Sequence, residues 1–205
     1  MKSCFNVLLV ICVVLFSSHS FSKAGLSTED FSQLPDASRL VISPDGKKLA
    51  SIVRLDSGTI HGSAVQVMDL ASKKINYALF TDNSKFFLNW IQWKDNTTLL
   101  AGAFTPSERE TYIMGHRVYF KTRDFHLMII NTETDEVTVP FTKKFLSNYK
   151  ILPSNRDDVV DVLRNDPDHI LMLMPGIERG FPREPVVYKV NIKTQKASLF
   201  HPGQN

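Results

Sequence analysis

A hydrolase nucleophile held in a strand-to-helix elbow needs Ser with Gly two residues to either side, because the strained turn leaves no room for side chains there. Glycines stand four apart at Gly58/Gly62 and Gly176/Gly180, but the residues between them are Ile60 and Glu178. Neither is a nucleophile, so the elbow is absent. H-E-x-x-H, a Walker loop and G-x-G-x-x-G are also missing. The sequence therefore assigns no catalytic residue, no metal site and no cofactor. His61, His116, His126, His169 and His201 are scattered at no ligand spacing, and His126 opens the strand-like run His126-Leu127-Met128, where packing is expected. Asp166 and Asp168 flank Pro167, which turn chemistry explains better than a carboxylate pair. Asn96-Thr97-Thr98 spells a glycan acceptor but is read as a hairpin corner.

Residue types suited to binding gather in two stretches. Thr105 to Arg123 carries Glu108, Arg109, Glu110, Arg117 and Arg123 with Tyr112 and Tyr119; Gly176 to Pro185 carries Glu178, Arg179, Arg183 and Glu184. Both are read as loops on one rim of the fold, and charged, aromatic loops on a rigid scaffold are common binding surfaces. Arg109, Glu110, Arg117, Arg123, Arg179 and Arg183 are the candidate substrate-binding residues. The competing explanation is a pair of solvated loops whose local ion pairs contribute little.

The scaffold is legible from its turns. Leu40 to Ala50 reads L-V-I-S-P-D-G-K-K-L-A. Pro44 pre-sets φ for the first corner, Gly46 supplies φ > 0, and the flanking apolar runs make the segment a β-hairpin. Strand-turn-strand units recur at Ala64–Phe80, Phe125–Val139 and Val186–Phe200, with Asp69, Asn131 and Asn191 closing their first strands 62 and 60 positions apart. Each is preceded by another hairpin, so each period holds four strands, the content of one propeller blade. The expected fold is all-β: a partial β-propeller of about three four-stranded antiparallel blades, near residues 38–80, 85–140 and 157–200. Only Leu26 to Leu34, with Ser27 and Asp30 as a capping arrangement, hints at a helical turn. Trp90 and Trp93 stand three apart and point to opposite strand faces; one is expected between blades, and packing is favoured for the other over a place in a channel.

Residues 1–24 read as a signal peptide: Lys2, an apolar run from Phe5 to Phe16, then Ser17, Ser18, His19 and Ser20. That run falls short of the roughly 20 apolar residues a bilayer span needs. Export to the periplasm or medium is expected, with no membrane attachment after cleavage. Cys4 and Cys12 both lie in this segment, so the mature chain would have no thiol. A net charge of +3 with mixed signs offers no nucleic-acid face.

Closed propellers need about 4 to 8 blades. Residues 25–205 are accordingly expected to be an incomplete propeller, either part of a longer protein or a piece that closes its ring by self-association through its open edges. The ending His201-Pro202-Gly203-Gln204-Asn205 reads as an inter-blade connection cut short.

The exported start, the segment Leu34 to Ala50 (L-P-D-A-S-R-L-V-I-S-P-D-G-K-K-L-A), Leu152-Pro153-Ser154-Asn155 and Asp166 to Met172 together resemble the N-terminal region of prolyl oligopeptidase-family serine peptidases, in the acylaminoacyl-peptidase and dipeptidyl-aminopeptidase-like branch. Other periplasmic propellers share the P-D-G hairpin. The resemblance implies a propeller of about seven blades ahead of an α/β-hydrolase domain, gating and selecting peptides by steric access. Against that pattern, residues 1–205 are expected to hold about half of such a propeller and none of the hydrolase domain. It is expected to be non-catalytic alone, with peptides or a hydrolase domain as partners. The alternatives are a stand-alone periplasmic binding module and a structural envelope propeller with no peptidase history.

Overall fold

Ser43-Pro44-Asp45-Gly46 folds as its residue types require. The Gly46 amide donates to the Ser43 carbonyl at 2.9 Å, Gly46 takes φ +72°, and Asp45 Oδ1 accepts from the Ser43 hydroxyl at 2.7 Å and the Lys47 amide at 3.1 Å. The turn joins β1 (Ala37–Ile42) to β2 (Lys48–Ser57). The computed structural model describes residues 36–141, 143–149, 155–178 and 181–200; the expected signal segment and the Leu26–Leu34 turn lie outside the described residues.

The repeat in the sequence is a repeat of one turn geometry. In the first sheet β3 (Ile60–Asp69) turns into β4 (Ile75–Thr81), with Asp69 Oδ1 accepting from the Ser72 amide at 2.7 Å. The second sheet comprises β5 (Phe87–Trp93), β6 (Thr98–Ile113), β7 (His116–Asn131) and β8 (Val137–Thr138), and Asn131 Oδ1 accepts from the Glu133 amide at 2.9 Å. The third comprises β9 (Val159–Asp161), β10 (His169–Glu178), β11 (Phe181–Asn191) and β12 (Ala197–Leu199), with Asn191 Oδ1 bound to the Thr194 amide at 2.8 Å. Four residues past each cap, Lys73, Asp135 and Gln195 take φ of +60°, +57° and +58°. Short Asx side chains offer the backbone a local acceptor, which is why Asp or Asn closes every third strand.

All strand pairs are antiparallel and each sheet runs in sequence order, so the described residues form three four-stranded blades, none closed on itself. The middle blade is buried on both faces. Leu99, Ala101, Met128 and Ile130 pack with Ala50, Ile52, Val65 and Val67 of the first sheet. The alternating residues Leu100 and Leu127 pack with Ile170, Met172, Met174 and Val190 of the third. Trp93 is 3% exposed in the first of these layers. On the face of the first blade turned from the second, Ile42, Ile75, Tyr77 and Phe80 stay exposed.

One element was not expected. The helix α1 (Lys143–Tyr149) places Phe145, Leu146 and Tyr149 against the core between the second and third blades. Phe145 packs between Phe141 and Tyr149 in tilted contacts, with ring centroids 4.9 and 4.7 Å away. Seven residues are too few to display a helical period, and a helix this short holds only through tertiary packing.

Polar bridges tie neighbouring blades together at their turns. Asn96 Oδ1 accepts from the Asp45 amide at 3.0 Å, and Asn76 donates to Asp135 at 2.7 Å. Asp95 Oδ1 accepts from the Thr97 and Thr98 amides at 2.8 and 2.7 Å, so Asn96-Thr97-Thr98 does form a hairpin corner. In the third blade Asp166 meets Lys189 at 2.9 Å and His169 at 2.8 Å. These two partners hold the Asp166 carboxyl well below the ordinary carboxylate value of 3.8. A depressed carboxyl pKa contributes stability that is complete above the unfolded-state value and is lost as the pH falls through the folded one. Urea midpoints of the wild type and Asp166→Asn should therefore differ at neutral pH and converge as the pH drops below 3.8. Parallel curves over that range would contradict the assignment.

Candidate functional site

The stretch from Thr105 to Arg123 is not a loop. β6 and β7 run past the four-stranded part of their sheet as a two-stranded ribbon, paired from Thr105↔Asp124 to Ile113↔His116 and closed by Met114-Gly115. Met114 (φ +50°) and Gly115 (φ +83°) both sit in the left-handed region, as a two-residue hairpin loop requires. The charges that suggested a loop alternate along two strands. The ribbon lies on the rim opposite the Asp69, Asn131 and Asn191 turns, because it joins the second and third strands of its blade. The stretch Gly176 to Pro185, also expected as a loop, belongs to β10 and β11 at all its described residues and shares that strand position.

Pairing divides the candidate residues. Glu110 opposes Tyr119, Tyr112 opposes Arg117, and Pro106 opposes Arg123, which puts Glu110, Arg117 and Arg123 on one ribbon face. Arg109 opposes Phe120 on the other face, where it is engaged with Asp124 at 2.5 Å. Arg179 lies outside the described residues; Arg183 belongs to β11.

The shared face is organised around its arginines. Arg117 Nη1 donates to Tyr119 Oη at 3.1 Å and Nη2 to Tyr112 Oη at 3.1 Å, with Glu110 Oε2 at 3.7 Å. Tyr112 and, after it, Tyr119 raise the Arg117 pKa above its already high value, so the guanidinium is a permanent charge. Tyr112 and Tyr119 remain 61% and 55% exposed, although the Arg117 guanidinium lies over the Tyr112 ring at 5.8 Å from its centroid. Arg123 lies over the Phe104 ring at 4.5 Å from its centroid, a cation–π placement. Phe104 in turn stacks on Phe87 at 5.1 Å. Arg123 forms no ion pair among the described residues, so its N–H groups are open to an acceptor.

Below this ladder the rim opens into a cavity of about 340 Å³ between the second and third blades. Trp90 is the residue that shapes it. Its indole lies flat over Gly102, where a Cβ would come within 2.0 Å of Nε1, and Nε1 donates to Asp157 Oδ2 at 2.9 Å. Trp90 thus both packs and lines the cavity. Burial pushes the Asp157 carboxyl above its ordinary value, and the charge of Asp158 adds to that rise. Sequence reasoning missed Asp157, since it stands 67 positions from the indole it holds; the one available signal was an acidic pair just before a strand.

His126 is half-buried, as expected of a packed histidine. Arg156 Nη2 approaches its Nδ1 at 2.7 Å, and Thr105 Oγ1 lies 3.0 Å from Nε2. Burial, then the Arg156 charge, keeps the ring neutral by lowering its pKa.

No protein-family model matches the chain, and no curated protein matches it. Among solved structures, an acylaminoacyl peptidase in complex with Z-Gly-Gly-Phe-chloromethyl ketone is similar at 22% identity and a TM-score of 0.49, covering 82% of this chain and 25% of that one. Pyrococcus horikoshii acylaminoacyl peptidase is similar at 22% identity and a TM-score of 0.48, with the same coverage. The matched region spans about a quarter of the length of those structures.

Proposed function

We propose that this chain is the non-catalytic propeller region of an exported serine peptidase of the prolyl oligopeptidase family, which gates and selects peptides for an α/β-hydrolase domain. The observation that carries the reading is the blade series itself, with the S-P-D-G-K-K-L-A hairpin in its first blade and a charged, tyrosine-bearing ribbon on one rim. The middle blade buries both faces, so it presents a ligand only with its rims, inner edge and outer edge. A rim ribbon with exposed tyrosines and arginines suits a flexible chain, whose backbone carbonyls and carboxyl terminus accept from guanidinium groups. A folded protein has few such groups to offer at one place.

Fluorescence anisotropy of labelled unstructured peptides tests this. The purified chain should bind them, and Arg117→Ala with Arg123→Ala should weaken binding about tenfold, the loss expected of one or two charge-assisted contacts. Unchanged affinity in the double variant would contradict the assignment. Equal binding of compact folded proteins would do the same.

A second reading is favoured by the exposed Ile42, Ile75, Tyr77 and Phe80 on the first blade: a module that completes its ring with a second copy. Sedimentation equilibrium separates the two, because that reading requires a discrete dimer.

A further inference from the structure

We propose that the cavity at the foot of the ribbon binds a guanidinium group, such as an arginine side chain, between the aromatic surfaces of Trp90 and Phe125 and the carboxylates of Asp157 and Asp158. The inference does not depend on the peptidase reading. It starts from a charge imbalance. Asp157 and Asp158 both line the cavity, and neither forms an ion pair among the described residues. Asp157 Oδ2 takes the Trp90 indole hydrogen, and the only other described donor to the carboxylate is its own backbone amide, so no described cation neutralises it. A half-buried carboxylate is costly without a compensating cation or donor. The cost appears as the raised Asp157 pKa, caused by burial and then opposed by the Trp90 bond.

The remaining lining residues select the kind of cation. Trp90 and Phe125 offer aromatic surface, while Gln92 and Asn155 carry amide oxygens that accept hydrogen bonds. A planar guanidinium stacks on aromatic surface and spreads five N–H donors in its plane. An ammonium is a strongly hydrated point charge and uses such a surface less well. The cavity, about 340 Å³, falls within the size range of small-ligand sites. Trp90 is also fixed in advance: Gly102 lies beneath it and Asp157 holds its edge, so little ordering remains to be done on binding.

The test uses the two indole N–H resonances of the full-length chain. Trp90 donates to Asp157 in the cavity, whereas Trp93 donates to the Val41 carbonyl at 3.1 Å in the other inter-blade layer. Titration with N-acetyl-arginine amide should shift the Trp90 resonance saturably and leave Trp93 unmoved. N-acetyl-citrulline amide, a neutral near-isostere, should produce no saturable shift. The lysine analogue should bind several-fold more weakly. Asp157→Asn keeps an acceptor for the indole but removes the charge, and should weaken arginine binding about tenfold. Asp158 is exposed, so Asp158→Asn should fold normally and weaken binding to a smaller, measurable extent; it carries the charge test if Asp157→Asn disturbs the Trp93 resonance. No saturable shift in the wild type would overturn the proposal, as would equal responses to arginine and citrulline, equal affinity for lysine, or charge variants that bind like the wild type.

Discussion

Replacing Lys94 with methionine is expected to cost about 3–5 kcal/mol of folding stability, the range for removing one member of a buried charged network. Lys94 is only 2% exposed although it opens a polar hairpin turn. Its ammonium donates to the Val162 carbonyl, to the Leu163 carbonyl at 3.0 Å and to the Asp166 carbonyl at 2.6 Å. The second blade thereby supplies the cation that satisfies three carbonyls at the start of the third. Burial lowers the Lys94 pKa from 10.5, and the nearby Asp166, Asp95, Asp161 and Asp168 pull it back. Methionine fills similar volume but leaves the Val162 and Asp166 carbonyls without this donor, while the Leu163 carbonyl keeps the Asp166 amide at 2.8 Å; each orphaned buried acceptor costs about 1–3 kcal/mol. With a urea slope of about 2 kcal/mol/M for a domain of this size, the midpoint should fall by roughly 1.5–2.5 M. A midpoint within experimental error of the wild type would mean that the blades are not joined through this side chain.

Gly102→Ala should destabilise by about 2–3 kcal/mol, the upper part of the range for overpacking a well-filled site. The added methyl would meet Trp90 Nε1 at 2.0 Å and Cε2 at 2.3 Å. An indole hydrogen-bonded to Asp157 and wedged between two blades cannot yield as a flexible chain end would. It must swing out, which breaks the 2.9 Å bond to Asp157 and exposes the ring. Tryptophan emission should shift to the red in the folded variant. Trp90→Phe relieves much of the clash, so the two substitutions together should cost less than their sum. Strict additivity would show that the glycine is not needed to seat the indole.

These two sites also mark where sequence reading stopped. The blade count was accessible because turns are local: Ser43 to Gly46 needs only its own residue types, and the Asx caps at Asp69, Asn131 and Asn191 sit beside the amides they bind. The blade pattern of period-2 apolar alternation was equally local. Lys94, by contrast, sits in Lys94-Asp95-Asn96, where local chemistry predicts a solvated turn; its burial follows from a carbonyl cluster 68 or more positions away. The Trp90–Asp157 pair is invisible for the same reason. The ribbon was misread because polar residues in alternation imitate a loop when neither face is buried. Helix α1 escaped because its apolar residues, Phe145, Leu146 and Tyr149, are too few to define a period. Of the candidate binding residues, the sequence placed Glu110, Arg117 and Arg123 in one stretch, but only strand pairing could separate them from Arg109.

The most direct test of the central reading is made on the polypeptide in its source cells. An antibody raised against this chain should capture, from the exported fraction, a protein that a fluorophosphonate probe labels at an active serine, while the 23.2 kDa chain purified alone takes no label. Capture of material with no fluorophosphonate-reactive component would contradict the peptidase reading. Labelling of the purified 23.2 kDa chain itself would contradict the proposed non-catalytic role.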